Sequence, residues 1–149
     1  MAAGGFDEAL LVGEDHDLAL RLGAAPGFVT ITSPPSVARR QHAGSISRDG
    51  KSTYYGLATI VQRARKGRYG ERRDFRRSAR AIVSAHARSS TVGLARGRHT
   101  KYASLLYLHA LGLNIRQHRW RYIAAFPLLL AWHSLAAGRR RHAHTGARP

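Results

Sequence analysis

The chain of 149 residues contains no cysteine. Disulfides and thiolate metal ligands are therefore excluded, and a reducing compartment fits. Lysine is almost as scarce: of the 25 basic residues, only Lys51, Lys66 and Lys101 are lysine. Together with the many Ala and Gly, this looks like a GC-rich coding bias, which weakens any reading of each Arg as a phosphate ligand. Acids are few and uneven. Six of the eight fall in residues 1–50, against four basic groups. Residues 51–149 carry only Glu71 and Asp74, against 21 basic groups. The first part can host acid–base chemistry. The second is drawn to something anionic: nucleic acid, an anionic membrane face or a phosphorylated ligand.

Long hydrophobic runs are missing too. The most apolar stretch runs from Tyr122 to Gly138, and its uninterrupted part, Ile123 to Trp132, is too short to span a bilayer and contains Pro127. Arg119 and Arg121 precede it and Arg139 to Arg141 follow, so it is a candidate to lie on a membrane surface or to pack within the protein. The opening MAAGGFDE has neither the basic start nor the apolar core of a secretory leader. No nucleophile elbow and no phosphate-binding Gly-rich loop occurs. His86 and His109 fall on apolar helical faces and read as satisfied core residues.

The length suits one domain, organised in three parts: residues 1–50, a helical basic region 51–137, and a disordered basic tail 138–149. Gly4-Gly5 permit a tight turn, and Asp7 can cap a short helix through Leu11. A second helix starts near Glu14 and ends at Gly23, with Asp17 and Arg21 at pairing distance. The β-branched GFVTITS, Gly27 to Ser33, reads as a strand. From Thr53 on, apolar residues recur at helical spacing: Tyr54, Leu57, Ala58, Val61, then Phe75, Ala79, Ile82, Val83, then Tyr102, Leu105, Leu106, Leu113. A last helix runs from about Arg119 to Ala137, with a kink expected at Pro127.

The densest chemistry lies in Glu14-Asp15-His16-Asp17. Asp15 and Asp17 suggest a pair for a hard cation such as Mg²⁺, but no apolar strand leads into them. A carboxylate in the first turn of a helix also suits a general base, since the unpaired N–H groups keep it ionised and the helix fixes its direction. The plain alternative is an acidic helix start.

The longer string GGFDE, EDHDLALRL, the strand, and RRQHAGSIS resembles the C-terminal half of the catalytic domain of family 2 glycosyltransferases. The resemblance covers Gly4 to Ser47 and weakens over STYYGLATIVQRARKGR. It implies an α/β fragment, half of a GT-A (Rossmann-like) domain, followed by a mainly helical basic region. It implies transfer of a sugar from a nucleotide-sugar donor to a saccharide or lipid-linked acceptor hydroxyl with inversion, as in building envelope polysaccharide. Asp15 then falls on the catalytic base. Glu14 and Asp17 shape the acceptor pocket, and Gly4, Gly5 and Asp7 match the turn bordering acceptor and donor sugar. Arg40 and His42 match a loop over the donor diphosphate, where His42 can donate a hydrogen bond or ligate a metal. Mg²⁺ or Mn²⁺ is the implied cofactor of the complete enzyme.

The family's nucleotide-binding strands and Asp-x-Asp have no counterpart here. The chain is therefore expected to be a truncated piece, inactive alone, with an exposed strand edge that invites self-association. The expected location is cytoplasmic, peripheral at the inner face of the plasma membrane. The reading from another class is a basic helical module for a membrane surface or, less favoured, nucleic acid.

Overall fold

The computed structural model describes residues 4–23 and 49–145, the last twelve of these as backbone only. The described residues hold five helices: α1 (Glu14–Leu22), α2 (Gly50–Arg65), α3 (Arg73–Arg96), α4 (Thr100–Arg116) and α5 (Trp120–Thr145). None of them lies in a strand. This corrects the α/β, GT-A expectation. The strand expected at Gly27 to Ser33, with its open edge, falls outside the described residues. What is described packs helix on helix: the acidic segment lies against α2 at Gly13 and Ile60 and against α3 at His16 and His86.

Local chemistry sets the helix ends. The Asp49 carboxylate caps α2, accepting from the backbone N–H of Lys51 at 3.3 Å and of Ser52 at 2.8 Å. Its exposed position makes Asp49→Ala a clean test: a loss of about 1 kcal/mol in unfolding free energy is expected by chemical denaturation. Between α2 and α3 the chain turns at Gly67 and Gly70, both at positive φ. The turn Glu8–Ala9 replaces the short helix expected after Asp7; the Leu10 N–H donates to the Asp7 carbonyl at 3.0 Å, and the repeat stops there.

One core joins the helices. α2 contributes Leu57, Ile60, Val61 and Ala64; α3 contributes Ala79, Val83, Ala87 and Leu94; α4 contributes Ala103, Leu106, Ala110 and Leu113. Leu20 of α1, Tyr69 between α2 and α3, Ala95 of α3 and Phe126 of α5 complete it. The alanines of α3 and α4 let the backbones approach closely, and these two helices share the broadest contact. A buried polar chain pins their register. Arg88 Nη1 donates to Ser84 Oγ at 2.6 Å, Ser84 Oγ to Asn114 Oδ1 at 2.9 Å, and Asn114 Nδ2 to the Ala110 carbonyl at 3.0 Å.

α5 runs as one helix through Pro127 and on past Ala137, where an end and a disordered tail are expected from sequence. Pro127 has no N–H to give the Ile123 carbonyl. Tyr107 of α4 supplies the donor instead, its hydroxyl meeting that carbonyl at 2.9 Å.

Candidate functional site

Asp17 is the most buried carboxylate of the acidic segment, with no exposed side-chain surface. It accepts from Tyr69 Oη at 2.6 Å and Arg63 Nη1 at 2.8 Å on one oxygen, and from Arg21 Nε at 2.8 Å on the other. Arg63 extends the network by donating its Nη2 to Asp7. Arg21 donates Nη2 to the Gly5 carbonyl at 2.6 Å, which holds the Gly4-Gly5 turn in place. Gly4 and Gly5 both take positive φ, the left-handed region glycine reaches without strain.

Burial works to raise the Asp17 pKa. The hydrogen bonds from Tyr69, Arg63 and Arg21 outweigh it and hold the carboxyl below the ordinary value. Burial and the Asp17 charge push the Tyr69 hydroxyl well upward, so it stays a donor. Asp7 is held low, first by its hydrogen bond from Arg63 and then by the Ala9 N–H.

These groups line an open cleft of about 730 Å³. Gly4, Gly5, Asp7 and Asp17 all line it, so four of the expected substrate-binding residues gather in one place. Arg21, Arg63, Lys66 and Arg68 line it as well, an excess of cations over carboxylates. A ligand carrying negative charge fits that balance.

Asp15 is not part of this wall. Residues two apart on an α-helix point about 200° apart, so Asp17 faces α2 while Asp15 faces outward with its side chain 69 % exposed. His16 holds it: Nδ1 sits 2.9 Å from Asp15 Oδ1, and the His16 backbone N–H donates to the same oxygen at 2.8 Å. Partial burial acts to raise the Asp15 pKa, but these bonds from His16 win and the carboxyl is held low. The His16 ring rests on His86, with centroids 4.0 Å apart. Burial lowers the His86 pKa, and the neighbouring His16 adds to this. No family model matches the chain, nor does any curated protein or solved structure.

The opposed directions of Asp15 and Asp17 dissolve the metal pair. Both Asp17 oxygens are spent on Tyr69, Arg63 and Arg21. Among the described residues no cluster of three His, Asp or Glu side chains can hold a metal ion. The divalent cation the resemblance implies is expected of the complete enzyme and not of these residues. Arg40 and His42 lie outside the described residues. Glu14 is half-buried in the first turn of α1 and does not line the cleft. Sequence reasoning missed Arg63 as the hub of this network and Tyr69 as its buried donor. The available signal was the Gly67-Arg68-Tyr69-Gly70 turn, where two glycines present one tyrosine. His109, read as a satisfied core residue, has a buried Nε2 without a hydrogen-bond partner.

Proposed function

We propose that the acidic segment is the acceptor-side element of an inverting sugar transferase, with Asp15 as the general base. The observation that carries this reading is the contrast between the two aspartates. Asp17 is fully engaged, whereas Asp15 is accessible, ionised and fixed at the start of α1. Asp15 takes the proton of an acceptor hydroxyl as that oxygen bonds to the anomeric carbon. The nucleoside diphosphate leaves from the opposite face with the bonding electrons, which inverts the centre. The acceptor hydroxyl meets Asp15 on the outward face of α1, whereas Gly4, Gly5 and Asp7 line the cationic cleft on the other side of the helix, where an anionic group of a substrate fits. The assignment of the transferase family rests on the residue string Gly4 to Ser47, and a cytoplasmic location belongs to the same proposal.

The test is a chromosomal Asp15→Asn substitution in the chain's own cells, with lipid-linked and surface glycans profiled by mass spectrometry. Transfer is expected to fall by about a hundredfold or more, and one glycan should disappear. Asp15 is exposed, so helix content and thermal midpoint should not change. An unaltered glycan profile with the variant protein present would refute the base assignment.

A further inference from the structure

The geometry points to the outer face of α5 as a docking surface for an anionic lipid membrane. Trp120, Ala124, Leu128 and Trp132 follow one another at every fourth position and form a stripe along the helix. They are exposed: Trp120 by 55 %, Leu128 by 73 % and Trp132 by 71 %. The opposite side of α5 is used by the core, through Phe126 and the partly buried Tyr122, Leu129 and Leu130. The apolar stripe therefore exists in addition to the packing face and is not a substitute for it. A soluble domain rarely leaves so large a patch open unless something covers it.

Charge identifies the cover. No Asp or Glu follows Asp74 anywhere in the chain. Arg116, Arg119 and Arg121 are exposed at the N-terminal end of the stripe, and Arg139 to Arg141 follow its C-terminal end in sequence. Cations thus bracket a stripe with tryptophan near both ends. That is the chemistry of a helix lying in the boundary between headgroups and acyl chains, where indole rings settle and Arg meets anionic headgroups. Spanning is a different matter: no helix among the described residues is long and apolar enough to cross a membrane.

A second copy of the chain is disfavoured as occupant, because a formal net charge of +17 repels its like. Nucleic acid is disfavoured by what lies between the tryptophans. Ala124, Ala125, Pro127, Leu128 and Ala131 offer no side-chain hydrogen bond to a base or a phosphate, whereas acyl chains need none. The inference rests on α5 and stands independently of the transferase reading.

The experiment is co-sedimentation of the full chain with vesicles of phosphatidylcholine alone or mixed with phosphatidylglycerol, with tryptophan emission recorded in parallel. Binding to the mixed vesicles should be at least about tenfold tighter, with a blue-shifted emission. The pair Leu128→Ser and Trp132→Ser should weaken that binding by about tenfold or more. Arg119→Glu with Arg121→Glu should reduce it to the phosphatidylcholine level. All four positions are exposed, and unchanged circular dichroism confirms an intact fold. Equal binding to both vesicles, no binding, or pelleting without an emission shift overturns the proposal. So does single-stranded DNA binding, or dimer formation in analytical ultracentrifugation, that the serine pair abolishes while vesicle binding is absent.

Discussion

Asp17→Ala is expected to lower the unfolding free energy by about 4 kcal/mol, a large share of the roughly 5–15 kcal/mol that holds a domain of this size. The carboxylate is fully buried and receives three side-chain donors. Its removal leaves the Tyr69 hydroxyl, itself buried, with no acceptor, and leaves Arg21 and Arg63 facing each other without the charge between them. Both guanidinium groups keep partial access to water, so the loss stays near the middle of the range for a broken buried pair. Tyr69→Phe, which removes one donor and leaves both ion pairs, should cost only about 1–2 kcal/mol. Urea denaturation followed by circular dichroism measures both. A loss below about 1 kcal/mol for Asp17→Ala would show that the network is not holding the acidic segment to α2.

The same residue predicts a pH dependence. The folded Asp17 carboxyl titrates below the ordinary aspartate value of 3.8. Its contribution is therefore present above that value and drains away as pH falls through the lower, folded one. Asp7 shifts in the same direction and adds to the slope. Stability should decline as pH drops below about 4, and the decline should be shallower in Asp17→Ala. A parallel pH profile in the two proteins contradicts this.

Gly56→Ala is the second large effect, and its sign is the reverse of what helix propensity gives. Glycine inside a helix normally costs about 1 kcal/mol relative to alanine. Here a Cβ on Gly56 would run into the carbonyl oxygen of Val12, which is backbone and cannot swing aside. On the facing strip, a Cβ on Gly13 would come 2.7 Å from Cδ1 of Ile60. The two glycines let the acidic segment lie flush on α2. We expect Gly56→Ala to destabilise by about 3 kcal/mol. Hydrogen exchange should show the loss of protection centred on residues 4–23 and not on α4. A neutral or stabilising result would mean that this segment does not sit against α2.

The helical half of the fold was legible because its apolar residues repeat every three to four positions. Leu57, Val61, Ala79, Val83, Leu106 and Leu113 are all buried as that spacing requires. Periodicity does not tell a core-facing position from its neighbour at the rim, which is why Ile82 and Leu105 turn out exposed. In the acidic segment, the Asp17–Arg21 pair was legible because it is local. Its partners Arg63 and Tyr69 lie 46 and 52 residues further on, and no local pattern announces such a pairing. The α/β expectation came from the resemblance of Gly4 to Ser47, whose predicted strand lies outside the described residues. The described remainder follows its own helical period. At Pro127 the sequence shows the missing donor and not the substitute from Tyr107.

That substitute ties two events together. The Ile123 carbonyl has the Tyr107 donor only while α4 lies alongside, so the continuity of α5 through Pro127 is tied to docking. If α5 is lifted from α4, the carbonyl must turn to water and the rod becomes two arms joined at a proline hinge. Undocking and bending are then one motion with one free energy, and the Tyr107–Ile123 hydrogen bond is a gauge of whether the bundle is closed.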